Sequence, residues 1–304
     1  MDDQTHQKSQ THQKSQTRYG IYLSPMGPLG DPGALVDLAV RAERAGWDGV
    51  FLWDHLISPS LPLLTTPLAP PSMPPSMPIV DTWTTLGAIA AATQTIVLGP
   101  MVTPLPRRRP WVVARQASTV SRLSQGRLVC GVGLGVDETG DLSRFGDLVE
   151  VAGRAAMVDE GLAVMRGLWS GTELHHHGVH YDVDVEASAP EPHPIPIWAA
   201  SSTAATGVLR RAIRCDGIFH NPEHELTPAE VAALVTALHG LDLPEDRAFD
   251  VAVRGNASEA WGDQQAIDLE GLAAAGMTWW LESLIYFDPL ALSLEVVDAG
   301  PPRP

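Results

Sequence analysis

Asp54 and His55 stand side by side at the end of an apolar run, Gly49 to Trp53, and are the residues of this chain best suited to moving a proton. A carboxylate beside an imidazole, directly after a buried strand, has the groups and the position that acid–base work requires. The alternative is a histidine satisfied inside a core, so the meaning of the pair depends on what other strand ends bring beside it. Gly131, Gly133 and Gly135 follow another apolar run, Leu128 to Val132. They suit either close strand packing or the approach of a ligand to backbone. Their Gly-x-Gly-x-Gly pattern after a middle strand is not a dinucleotide fingerprint. Ser201, Ser202 and Thr203 precede a helix, where they suit a cap or an anion, because both use the same amides. Arg107, Arg108 and Arg109, bracketed by Pro106 and Pro110, are expected at the surface or between subunits. His175, His176, His177 and His180 lie on a short hairpin, alternate faces and lack carboxylates at ligand spacing, so no metal site is expected there.

The elements that carry these residues follow a regular order. Strands are expected over 19–23, 49–53, 96–102, 128–132, 195–200, 216–219, 249–253 and 277–281, each a short apolar run closed by Gly, Pro or polar residues. Helices alternate with them. Asp31-Pro32 caps one striped by Leu35, Leu38, Ala39 and Ala42 up to Gly46; Thr82 to Ala92 is another. Val113, Ala117 and Val120 stripe a third that ends at Gly126, and Val158, Leu162, Met165 and Trp169 a fourth. Val208 to Ile213 forms a fifth. Thr227-Pro228-Ala229-Glu230 is a capping box, and Leu269, Leu272 and Ala273 line the last helix. Eight strands alternating with helices make this an α/β chain folded as an eightfold β/α (TIM) barrel with insertions.

Residues 1–18 form a polar tail that repeats Thr-His-Gln-Lys-Ser-Gln twice and is expected to be disordered. The barrel domain spans 19–285. Within it lie a loop over 58–78 with eight prolines, which fits a lid or a tolerated insertion, and the hairpin over 172–186. Residues 286–304 are expected as an extension. If the barrel closes, one face collects Ser24, Asp54 with His55, Met101 to Thr103, Gly133 to Gly135, Ser201 to Thr203, Phe219 with His220, Arg254 with Gly255, and Trp279 to Glu282. Ser24, Trp279 and Glu282 are the expected substrate-pocket residues.

Composition narrows the function. A net charge of −16 over 304 residues offers no basic face for nucleic acid. No apolar run is long enough to span a bilayer, and no signal-peptide core opens the chain. Two distant cysteines, Cys130 and Cys215, exclude a disulfide framework and fit a reduced, cytoplasmic setting.

Several stretches resemble the bacterial luciferase-like superfamily of flavin- and deazaflavin-dependent oxidoreductases. They are AERAGWDGVFLWDHL, GPMVTPLPRRRPWVVARQASTVSRLSQGRLVCGVGLG, DEGLAVMRGLWSG, HHHGVHYDV and RRAIRCDGIF. The resemblance runs from about Tyr19 to about Leu284 and implies the barrel, with FMN or coenzyme F-420 held at the carboxyl ends of its strands. It implies that His55 with Asp54 is the functional pair beside the ring. It also implies a non-prolyl cis peptide at Met101-Val102 behind the ring, continued by Thr103, with Gly131 and Gly133 near the cofactor and Ser201 to Thr203 at its phosphate. Met101 replaces the small residue common before that bond, and the turn at 199–203 has less glycine than is usual in the family.

The activity so implied is that of an oxidoreductase, by oxygenation or by hydride transfer, on a small organic substrate. FMN would bring oxygen chemistry and a reductase partner, F-420 hydride transfer alone. The family also implies a homodimer. A non-catalytic flavin-binding barrel and a metal-dependent barrel hydrolase are the alternatives, the second short of a ligand set at the strand ends.

Overall fold

The computed structural model describes residues 17–57, 77–259, 267–286 and 288–302. The repeated N-terminal tail up to residue 16 and the proline-rich stretch 58–76 lie outside them. Among the described residues, nine parallel strand segments form one sheet in the order β3-β2-β1-β11-β10-β9-β8-β5-β4. These are β1 (Arg18–Leu23), β2 (Gly49–Leu52), β3 (Val97–Pro100), β4 (Thr103–Pro104), β5 (Cys130–Gly133), β8 (Ile197–Ser201), β9 (Gly217–His220), β10 (Asp250–Gly255) and β11 (Trp279–Leu284). β3 and β4 share one barrel position, interrupted by the cis peptide between Met101 and Val102. The ring closes there: β4 pairs with β5, and Leu98 of β3 bridges to Leu128 just before β5. The eightfold barrel is therefore complete.

Helices α1 (Pro32–Ala45), α2 (Thr82–Ala92), α3 (Pro110–Leu123), α4 (Val151–Ser170), α5 (Thr206–Ala212), α6 (Pro228–His239) and α7 (Leu269–Ala274) surround it. Their ends form as the side chains dictate. Asp31 accepts from Ala34 N at 2.8 Å and Gly46 ends α1 with a left-handed φ of 87°, a conformation glycine adopts without a Cβ clash. Thr227 and Glu230 make the reciprocal capping box of α6. Past residue 285, where an extension was expected, the chain forms α8 (Leu290–Ala299), which packs on α1. Val296 and Val297 enter the main core, Trp47 Nε1 donates to Val297 O at 3.0 Å, and Arg41 pairs with Asp298 at 2.9 Å. Residues 290–299 thus pack against the barrel through α1.

Strand alternation sorts the side chains into two cores. Between strands and helices lies the larger one, with Ile21, Leu23, Val50, Leu52, Val132, Ile197, Val251, Val253, Trp280 and Leu284. Inside the barrel lie Tyr22, Phe51, Met101, Val129, Trp198, Phe219, Ala252, Trp279 and Leu281. Phe51, Trp198 and Trp279 meet with ring centroids 5.5–5.6 Å apart and close the amino end, where Arg18 stacks over Trp279 at 5.3 Å. Each such ring hides roughly 150–250 Å², worth at most about 4–6 kcal/mol of burial. The amino end is a plug.

The hairpin of β6 (Leu174–His177) and β7 (Asp182–Val185) stands outside the sheet, as expected. Its histidines do have carboxylates nearby: His175 faces Asp184 and His177 faces Asp182, both at 2.6 Å across the pair. Among the described residues no group of three or more His, Cys, Asp or Glu could hold a metal, and no helix is long and apolar enough to cross a membrane.

Candidate active site

His55 follows β2 at the carboxyl face, and its partner is Asp141, not its neighbour Asp54. Nδ1 lies 2.7 Å from Asp141 Oδ2. Asp141 sits in the loop after β5 and also accepts from Ile57 N at 2.9 Å, Leu56 N at 3.3 Å and Arg107 Nη1 at 3.0 Å. Burial alone would raise its carboxyl, but the hydrogen bond and charge of His55, the charge of Arg107 and the Ile57 N–H outweigh burial and hold it down at about 2. An ionised Asp141 can only accept, so His55 donates from Nδ1 and Nε2 is left as the atom that takes or gives a proton.

Asp54 turns the other way. Arg107 Nη2 reaches its Oδ1 at 2.8 Å, and Arg108 holds Oδ1 at 2.7 Å and Oδ2 at 3.0 Å. Arg107 also donates to the Asp54 carbonyl. The Arg107 and Asp54 side chains are each 2% exposed. The expectation that these arginines lie at the surface is overturned for Arg107 and Arg108. Pro104 and the short 3-10 turn Leu105–Arg107 swing them inward, and two buried carboxylates compensate the cost of burying them. Arg107 and Arg108 with Asp54 and Asp141 form a buried network, joined at its edge by Asp81 at 3.8 Å from Arg108 and with His55 at its rim.

The remaining expected residues divide. Ser24 lies inward at the end of β1, fully buried, its hydroxyl without a partner among the described residues. Met101 and Val102 face inward. A Cβ on Gly131 would come 2.3 Å from Pro100 O, and one on Gly133 2.7 Å from Val102 Cγ2, so both glycines make room for the Met101-Val102 bulge. Thr103 points outward to α2 and accepts from Trp83 Nε1 at 2.9 Å. Ser201 Oγ donates to Thr203 O at 2.9 Å and takes a hydrogen bond from His220 Nδ1 at 2.8 Å, tying the turn to β9. Burial pushes the His220 imidazole down, so it stays neutral there. Ser202 and Thr203 are exposed on the rim.

Two expected pocket residues are elsewhere. β11 runs to Leu284, so Trp279 stands at its amino end, in the plug. Glu282 has outward parity and accepts from Ala257 N, Ser258 N and Trp280 Nε1 at 2.8–3.1 Å. Residues missed as site candidates, Tyr22, Trp53 and Ser283, take their place at the mouth beside Arg254, which was expected on that face. Trp53 lies between Tyr22, His55 and Tyr286, with centroids 5.4, 5.9 and 6.1 Å away. Burial drives the Tyr22 phenol far above its usual range, against the pull of the Arg254 charge.

This carboxyl-face site accompanies a family match over residues 4–283 to the model described as "Luciferase-like monooxygenase". The chain belongs to the luciferase-like monooxygenase family. Within it, the chain is 31% identical over 153 residues to an F420-dependent glucose-6-phosphate dehydrogenase of Microbacterium testaceum, covering 50% of this chain and 41% of that protein. It thus matches less than half the length of that relative. Among solved structures, an F420-dependent secondary alcohol dehydrogenase superposes with a TM-score of 0.73 at 16% identity, over 93% of this chain and 97% of that one. A monooxygenase from Streptomyces bottropensis superposes with a TM-score of 0.67 at 17% identity, over 92% and 96%. Both likenesses are those of the luciferase-like barrel.

Proposed function

We propose that the chain is an oxidoreductase that binds FMN or F-420 at the carboxyl mouth of its barrel and acts there on a small organic substrate. The observation that carries this is the His55–Asp141 pair, held beside the Met101-Val102 wall on the neighbouring strand: Met101 N donates to Leu52 O at 2.7 Å. The mouth fits a flat heteroaromatic ring. Met101, Val102 and Phe219 give it an apolar wall, and the buried hydroxyls of Ser24 and Ser283 are left to pair with ligand atoms. Met101 and Val102 would back the ring, and Ser202 and Thr203 on the rim would take its phosphate.

Bound there, the cofactor would supply the redox chemistry, hydride transfer with F-420 or oxygen activation with reduced FMN. The chain supplies the rest. His55 Nε2 exchanges the proton that accompanies the redox step, Asp141 fixes its tautomer, and the Arg107–Asp54–Arg108 network holds that carboxylate in place. Asp54 is a positioning residue. Tyr22, Trp53 and Tyr286 exclude water from the mouth. The F420-dependent relative favours the hydride reading. With FMN, a separate reductase would be needed.

A homodimer, which the family resemblance implies, could use the mixed groove of about 510 Å³ between α2 and α3, where Trp83, Trp111 and Val112 lie beside Thr84, Arg115 and Gln116. A cytoplasmic setting fits the two free cysteines, whose thiols burial pushes up to about 12 and about 11. Titration with FMN and with F-420, oxidised and reduced, at one salt concentration tests the central reading. Saturable binding of F-420, followed by its fluorescence, is expected; binding of neither cofactor would remove the function and leave the barrel.

A further inference from the structure

Arg254 is a cation of the carboxyl face with no carboxylate partner among the described residues. It shares strand parity with Ala252, which lies inside the barrel, so its side chain enters the mouth. Its partners are neutral: Nε donates to the Asn221 side-chain oxygen and Nη2 to Pro222 O at 3.3 Å. Arg107 and Arg108 are matched by Asp54 and Asp141, whereas Arg254 meets no carboxylate among the described residues. A half-buried guanidinium is ordinarily paired. Of its five N–H groups two are used, which leaves three, including both on Nη1, for an incoming acceptor.

A second observation lies beside it. Ser283 on β11 and Ser24 at the end of β1 have inward parity, are at most 2% exposed, and carry hydroxyls with no partner among the described residues. The strands β10, β11 and β1 are consecutive in the ring, and Ser24 N donates to Leu284 O at 3.2 Å, so the three side chains form one arc. The arc runs from a quarter of the way round the barrel at β1 to the side opposite β3 and β4 at β10. In an eight-position ring β10 is opposite Met101-Val102, the wall proposed for the cofactor ring.

We propose that Arg254, with Ser24 and Ser283, forms the subsite for an anionic group of the substrate, a carboxylate or a phosphate monoester. The substrate would enter with its charged end on this arc and its reacting carbon toward the cofactor on the far wall. A planar guanidinium edge and two hydroxyls suit either oxyanion, because both offer paired oxygens at the right spacing. This rests on the proposed function for what occupies the far wall, but not for the anion site itself.

The test uses the full chain, with and without F-420 or FMN, titrated with inorganic phosphate and separately with acetate. Sodium chloride at matched ionic strength is the control, and the shift in unfolding midpoint is the readout. Saturable stabilisation by one or both oxyanions is expected in wild type, weakened at least tenfold in Arg254→Gln, partly restored in Arg254→Lys, with cofactor affinity changed less than threefold. Phosphate preference would assign a phosphate ester, acetate preference a carboxylate. Equal oxyanion binding by wild type and Arg254→Gln would overturn the proposal. So would tenfold loss of cofactor binding in Arg254→Gln together with no oxyanion effect on the loaded wild type, since the cofactor's own phosphate would then be the anion. If wild type bound neither cofactor yet showed the Arg254-dependent oxyanion effect, the proposed function would fall and the anion site would stand.

Discussion

The two ends of one barrel are built from the same strands and spend their side chains differently. At the amino end Phe51, Trp198 and Trp279 pack on one another and Arg18 covers them, so apolar surface meets apolar surface. At the carboxyl end the same strands carry Ser24, His55, Arg254 and Ser283, whose polar atoms are only partly matched. The base holds the fold together, and the mouth keeps donors and acceptors in hand for a ligand. A change at the base should therefore cost stability and spare binding, and a change at the mouth should do the reverse.

The largest separation is expected from Trp198→Ala. Removing a fully buried indole should cost about 3–5 kcal/mol in denaturant unfolding. Cofactor affinity of the molecules that remain folded should be unchanged. Weakened affinity with unchanged stability would mean that base and mouth are not separate. Arg107→Gln sits between the two regions. It leaves Asp54 and Asp141 buried with fewer charge partners, so stability should fall by about 3 kcal/mol, and turnover should fall with it because His55 loses its fixed carboxylate. A variant as stable as wild type would show that the network is not the support proposed.

His55→Ala tests the mouth alone. Its side chain is 24% exposed and Asp141 keeps Arg107 and two backbone donors, so unfolding should shift by less than about 1 kcal/mol. Turnover should drop roughly 100-fold or more. Unchanged turnover in a folded variant would take the proton role away from His55.

A smaller effect should come from pH. Asp141 has a folded value of about 2, below its usual carboxylate value, so it contributes stability above pH ~4. That contribution is lost as the pH falls through about 2, and over this window it amounts to roughly 2 kcal/mol. Asp141→Asn should flatten the fall in stability between pH 4 and pH 2, measured by denaturant titration at each pH. An identical slope in the variant would place the titrating group elsewhere.

Much of this was legible before the structure. The eight strands stood out because each apolar run was closed by Pro, Gly or a polar pair. The outlying hairpin was expected from alternation around Gly178, and the cis bond at Met101-Val102 from the family resemblance. The rest depended on tertiary pairing. Asp141 meets His55 from 86 positions away, out of a loop with no periodicity, and local spacing carries no sign of it. The arginine run suggested a surface because charged side chains are rarely buried, and only the two facing aspartates reverse that rule. Trp279 and Glu282 were misplaced because the run from Met277 to Phe287 is apolar almost throughout, so nothing marks where β11 begins or which way it faces. α8 escaped notice because its buried face includes Ser293 beside Val296 and Val297.

The most direct test of the contrast is hydrogen–deuterium exchange of the full chain with and without saturating F-420 or FMN. New protection is predicted in peptides at the carboxyl ends of the strands, around 22–24, 53–57, 101–104, 133–141 and 201–203, with the plug around 18–20 and 197–198 unchanged. Protection confined to the α2/α3 groove, or none at the carboxyl ends from a cofactor that binds, would contradict the placement of the active site at the mouth.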